Sequence, residues 1–199
     1  PRMKQVVEDI NRGTVGLVEI PEPMVKAGHV LIANSCSVIS PGTEKTALEL
    51  GRKSLLGKAM ERPDHVRRVI QKMKQEGVFN TMAQVRQKLD EPMTLGYSSA
   101  GTVIACGAGV QEFKPGDRVA SNGPHAGVVC VPKHLCAHIP AELAMDRAAF
   151  AVLGSIALNG VRLSLARLGD VVFVIGLGLV GQLTVALLKA QGCKVVATD

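Results

Sequence analysis

Apolar and polar positions change their rhythm several times along the chain. Up to about residue 40, short β-prone runs dominate. Val15-Gly16-Leu17-Val18-Glu19-Ile20 stops at Pro21-Glu22-Pro23, and His29-Val30-Leu31-Ile32-Ala33 follows the turn Lys26-Ala27-Gly28. Such runs, punctuated by glycine and proline, predict strands of a small antiparallel barrel or sandwich. From 43 to 91 the spacing becomes helical. Val66, Val69, Ile70 and Met73 share one face after Pro63-Asp64, and Gly77 stands where that helix should stop. Asn80-Thr81 can cap a further helix through Met82, Val85 and Leu89, closed by Pro92, and residues 43–57 are expected to be helical with a break near Gly51. Strands should resume over 100–106, 114–120 and 127–132, before an Ala- and Leu-rich helical stretch over 144–165.

The last thirty residues read as β-α-β. Val171-Val172-Phe173-Val174-Ile175 has the unbroken apolar character of a strand buried on both faces. It runs into Gly176-Leu177-Gly178-Leu179-Val180-Gly181, a helix through Leu183, Leu187 and Leu188 as far as Gly192, and the strand Lys194–Thr198 ending on Asp199. Alone, a G-x-G-x-x-G pattern is weak. Here it joins a strand to a helix and is followed, 18 residues after Gly181, by an acid at a strand end, which is the context a dinucleotide site needs. Gly176 would form the tight turn, Gly178 would admit a pyrophosphate, and Gly181 would let the helix lie close to the strand. The helix start at Leu179, Val180 and Gly181 would offer unpaired N–H groups to the phosphates. Asp199 would hold the ribose hydroxyls and repel a 2′-phosphate, so NAD is expected over NADP. The competing reading is the glycine turn of another α/β fold, with a flavin or no nucleotide. One β-α-β unit only begins a doubly wound sheet, so continuation into further domains is expected.

Composition narrows the classes. With 47% apolar and 20% charged residues the chain is globular, and no apolar stretch approaches the ~18 residues of a membrane span. No signal-peptide run follows the N-terminus. The five cysteines are odd in number and form no Cys-x-x-Cys pair, as expected of reduced thiols in a cytoplasmic protein. The net charge of +6 comes entirely from residues 45–90, which hold eleven Lys/Arg and five Asp/Glu, against twelve of each elsewhere. That segment reads as solvated helix faces, or as a patch for a phosphate-bearing ligand or nucleic acid. One Tyr, four Phe and no Trp leave little to stack on bases, which disfavours nucleic acid.

Several motifs, taken in order, resemble the medium-chain dehydrogenases/reductases. Lys26-Ala27-Gly28-His29-Val30-Leu31-Ile32 resembles the family's "pGeVlv" strand, and Phe113-Lys114-Pro115-Gly116-Asp117-Arg118-Val119 its "f-k-x-G-D-r-V" turn. Leu95-Gly96-Tyr97-Ser98-Ser99-Ala100-Gly101 stands where zinc members carry "G-H-E-x-x-G", and Leu168–Val172 with the glycine fingerprint completes the series. The resemblance implies a mixed β and α/β fold. A GroES-like β-barrel domain would occupy residues 1–144 with a helical insertion at about 44–91. Residues 145–199 would then supply a linker helix and the first β-α-β unit of a Rossmann domain. The segments "SLLGKA", "LGYSSAG", "SNGPHA" and "VVCVPK" are similar to a subgroup of bi-domain oxidoreductases found with bacterial polysaccharide genes.

Departures from the zinc pattern point to mechanism. The family's "C-G-x-D" loop is matched by Ser40-Pro41-Gly42-Thr43-Glu44, with Ser40 taken at the cysteine position, and Tyr97 replaces the histidine ligand. Nothing around Val152-Leu153-Gly154 can bind a metal, and the four-cysteine lobe is missing, so no zinc is expected. Without a Lewis acid, an oxyanion needs a hydrogen-bond donor or general acid, and the candidates by position are Tyr97, Ser40 and Thr43. A phenol, with an ordinary pKa of about 10, can donate at neutral pH. Each candidate has a plainer reading: Tyr97 as a ring filling the metal's space, Ser40 as a turn residue, His125 as a loop residue near the cleft, Glu44 as a helix cap. The resemblance therefore implies an NAD(P)-dependent, zinc-independent oxidoreductase acting on a small alcohol, carbonyl or activated alkene, with an anionic sugar-type substrate suggested by the basic segment. The alternative is a catalytically silent nucleotide-binding or scaffold module. A homo-oligomeric assembly is left open.

Overall fold

The computed structural model describes residues 1–9, 14–45 and 92–199. The helices expected at 63–77 and 80–91, and most of that expected at 43–57, lie outside them; residues 41–45 are helical. The chain divides into two compact units, one of Pro1–Lys4, Ile20–Ser40 and Gly96–Asp199, the other of Gln5–Glu19 and Pro41–Leu95.

The first unit is built on a five-stranded antiparallel sheet. Its strands are β3 (His29–Ser37), β5 (Ser99–Cys106), β6 (Arg118–Ser121), β7 (Val128–Pro132) and β8 (Cys136–His138), in the order β7-β3-β5-β6-β8. One face gathers Val30, Ile32, Val103, Val119, Val129 and Val131, all at most 3% exposed. Burying each such side chain contributes about 1.5–3 kcal/mol, so this cluster is the main reason the sheet holds. The opposite face carries Ala100 and Ala120 under Ala148 and Ala149. These last two lie at the end of α1 (Met145–Ala148), which precedes α2 (Ala151–Ser164). The predicted helical stretch is thus split in two. The strand expected over 114–120 is shorter: it begins at Arg118, because Lys114–Asp117 closes a turn through Asp117 N–H to Lys114 O (3.1 Å) and Lys114 N–H to the Asp117 carboxylate (2.9 Å).

At the end of the same unit, β9 (Val171–Ile175), α3 (Leu179–Ala190) and β10 (Lys194–Thr198) form the predicted β-α-β unit, with β9 and β10 parallel and in register from Val171↔Lys194 to Ile175↔Thr198. Val172 and Val174 pack with Val161, Leu187, Leu188 and Cys193. The expectation that β9 is buried on both faces is not met. Val171, Phe173 and Ile175 are 70%, 59% and 81% exposed, because none of the described elements is layered on that side.

The second unit holds most of a three-stranded sheet of order β2-β1-β4, from β1 (Arg2–Asp9), β2 (Thr14–Pro21) and β4 (Met93–Thr94). Strands β1 and β4 pair antiparallel through Val7↔Thr94 and Glu8↔Met93.

Candidate functional site

Three serines line up across adjacent strands at one end of the first unit's sheet. Ser37 pairs with Ser99, and Ser99 with Ser121. Opposed residues of paired strands point to the same face, and Ser121 lies two residues from Val119. The hydroxyls therefore sit on the face of the valine cluster. Ser99 Oγ and Ser121 Oγ share a 3.0 Å hydrogen bond, and Gly123 N–H donates to Ser121 Oγ at 3.2 Å. His125, 8% exposed, shares a 2.8 Å bond between Nδ1 and Ser37 Oγ. The loop carrying it is clamped by Asn34, whose amide donates to Pro124 O (3.2 Å) and Ala126 O (2.9 Å), one on each side of the histidine.

Tyr97 enters this end of the sheet just before β5 and is partly exposed. Its neighbours are fixed. Val38 N–H donates to Ser98 O at 2.9 Å, and the buried Ser98 hydroxyl donates to Ala149 O at 2.5 Å, tying the segment to the start of the α1–α2 region. Ser40, 6% exposed, follows from the paired end of β3. The ladder thus brings the loops bearing Ser40, Tyr97 and His125 to one end. Thr43 and Glu44 belong to the second unit, with Thr43 exposed on helical residues 41–45. Ser37, Ser99 and Ser121 escaped the sequence reading. A serine in a strand carries no signal until strand register shows it facing another.

Among the described residues, those at the positions of the zinc ligands do not offer a zinc-binding set. Anchoring the "C-G-x-D" pattern on Gly42 puts Pro41, not Ser40, at the cysteine position, and neither supplies a thiolate. Cys36 lies close by, but burial raises its pKa and the negative charge of Asp146 adds to this, keeping it a thiol. Burial, with Cys106 adjacent, likewise pushes Cys136 up to about 11. Among the described residues no group of three or more His, Cys, Asp or Glu is placed to hold a metal ion.

The glycine turn does fit a dinucleotide. Gly176 has φ +94°, a conformation that disfavours any side chain. A Cβ at Gly181 would collide with the Gly176 carbonyl, so only glycine lets α3 start this close to the turn. Nothing lies within 4 Å of where a Cβ on Gly178 would stand, which leaves that side open to a ligand. The first helical bond, Gln182 N–H to Gly178 O at 2.9 Å, leaves the N–H groups of Leu179, Val180 and Gly181 ahead of it. The turn is braced at both ends. Leu177 N–H donates to Asp199 Oδ1 (2.8 Å), and Gln182 Nε2 donates to Leu177 O (2.7 Å). Asp199 thus stands at the turn, with one carboxylate oxygen engaged.

Comparison with known proteins agrees with this architecture. The alcohol dehydrogenase GroES-like domain family matches residues 67–157, beginning inside the segment expected as an insertion. The chain is 33% identical over 105 residues to D-guloside 3-dehydrogenase of Escherichia coli, covering 51% of this chain and 30% of that protein. The quinone oxidoreductase of Coxiella burnetii superposes with a TM-score of 0.71 at 23% identity, covering 100% of this chain and 57% of that one. A mycobacterial protein complexed with NADPH gives a TM-score of 0.70 at 22% identity, covering 98% and 51%. This chain spans about a third of the length of the curated relatives it matches. An alcohol dehydrogenase GroES-like domain match over residues 67–157 thus stands ahead of a glycine-turn β-α-β unit, and the chain is similar to dehydrogenases and reductases of the medium-chain superfamily.

Proposed function

We propose that the chain is part of a zinc-independent, NAD(P)(H)-dependent oxidoreductase that acts on the alcohol, carbonyl or activated alkene of a small substrate. The observation carrying this is the glycine turn, where Gly181 is pressed on the Gly176 carbonyl, Gly178 faces open space and Asp199 stands at the strand end. Bound there, the dinucleotide would supply or accept the hydride. The helix start would hold its phosphates, and the free oxygen of Asp199 would accept from a ribose hydroxyl, favouring NAD over NADP. The relative complexed with NADPH supports the dinucleotide class without choosing between the two. Proton handling would fall to Tyr97, whose hydroxyl would donate to the substrate oxygen as charge develops, with Ser40 and Thr43 as further hydroxyl donors.

Fluorescence titration with NADH and NADPH tests the cofactor. Asp199→Ala should weaken NADH binding roughly 10- to 100-fold, the value of about 1.5–3 kcal/mol for a hydrogen bond to a charged group. Binding of neither nucleotide by the parent chain overturns the proposal.

An anionic, sugar-type substrate is supported by the basic segment and by the relative named for guloside oxidation. Replacing Arg52, Lys53, Arg67 and Arg68, which lie outside the described residues, with glutamine should raise KM about tenfold, since several charge contacts with an anion would go together. An unchanged KM removes the anionic part of the proposal. The five unbridged cysteines fit a reducing cytoplasmic setting, and among the described residues no helix is long and apolar enough to cross a membrane. The burial of Ser40 favours a second reading, a catalytically silent nucleotide-binding module. Stereospecific hydride exchange between labelled cofactor and a substrate would exclude it.

A further inference from the structure

The strand ends near Tyr97 hold a polar unit that the proposed reaction does not use directly. His125 is buried, 8% exposed. One face lies flat on the backbone of Gly96. A Cβ built on Gly96 would stand 2.6 Å from His125 Nδ1 and 2.7 Å from both Cε1 and Cγ. Gly96 has φ +90°, so the peptide leading into Tyr97 adopts a conformation that glycine alone adopts without strain. On its edge the ring is fixed by Ser37 Oγ at 2.8 Å, and its own loop is pinned on both sides by Asn34. Ser37 in turn is paired opposite Ser99, just beyond an irregularity in β3.

We propose that His125 is the positioning residue for Tyr97. The imidazole, held by Ser37, is the plate against which Gly96 packs, and it thereby sets the direction in which the next residue leaves the backbone. This rests on the reading of Tyr97 as the proton donor only for its consequence in turnover. The positioning itself can be read without substrate. Tyr97 is the one tyrosine of the chain, which has no tryptophan. The near-ultraviolet circular-dichroism difference between the parent chain and Tyr97→Phe therefore isolates how firmly that ring is held.

In His125→Ala the tyrosine band should be largely lost while the far-ultraviolet spectrum is kept. His125→Asn, whose amide can take the place of Nδ1 toward Ser37, should retain most of the band. If His125→Ala does not fold, Ser37→Ala carries the test, because it removes a single hydroxyl and should also weaken the band. A full band in folded His125→Ala or in Ser37→Ala overturns the proposal, as does a folded His125→Asn whose band matches that of the alanine variant. NADH titration of the same proteins reads the cofactor proposal separately, so failure of one leaves the other standing.

Discussion

Gly181→Ala is expected to cost most of the affinity for a nicotinamide dinucleotide. The added methyl would collide with the carbonyl oxygen of Gly176. That atom belongs to a backbone turn anchored by Gly176 N–H to Thr198 O at 2.8 Å and by the Asp199 bond to Leu177, so it cannot swing aside like the tip of a side chain. The helix must move instead. Overpacking of this kind typically costs about 1–3 kcal/mol of stability. The larger effect is on binding, because the N–H groups at the helix start are useful to a pyrophosphate only at hydrogen-bonding distance. Losing two such bonds, at about 1.5–3 kcal/mol each, weakens binding roughly 10²-fold or more. Calorimetry with NADH, beside a melting curve, separates the two effects. A folded variant that binds NADH as the parent does would show that the close approach of helix and turn is architecture without a role in the nucleotide site.

The second large effect is expected at Tyr97. Tyr97→Phe removes one oxygen and keeps the ring. If the hydroxyl handles the substrate proton, kcat should fall by about 10²- to 10⁴-fold, the usual contribution of general acid–base catalysis, while NADH affinity stays unchanged. Turnover with hydride transfer from labelled cofactor measures this. An undiminished kcat would reduce Tyr97 to a ring filling space.

The two halves of the site were unequally readable from the sequence. The glycine turn was readable because its residue types answer local demands: a positive φ at Gly176, a collision at Gly181, an acid at the strand end. Such demands depend on a few neighbouring residues, so spacing reveals them. The end of the antiparallel sheet is different. Ser37, Ser99, Ser121 and His125 lie between 22 and 88 positions apart along each bonded pair, and only strand pairing brings them together. Gly101, visible as the last glycine of a motif, owes its identity to the Ala33 carbonyl on the neighbouring strand. Lys114-Pro115-Gly116-Asp117 departs from the strand expected over 114–120 because its side-chain bond closes a turn. Strand β9 misled because an apolar run records what a segment is suited to bury, and here Val171, Phe173 and Ile175 are left mostly exposed.

Between Asn34 and Cys36, strand β3 has one residue more than β5 opposite it. Asn34 faces Gly101 and Cys36 faces Ala100, so Ser35 has no opposite number. In a regular strand, side chains alternate, and a single extra residue inverts their phase beyond it. Val30 and Ile32, at even positions, share their face with Ser37, at an odd one. The hydroxyl that holds His125 is therefore on the correct side because of a count, not because of its own chemistry. Were Ser35 drawn into the ladder opposite Ala100, Cys36 would face Ser99 and the Ser37 hydroxyl would turn to the alanine face, so the bulge is inherited along with the residues.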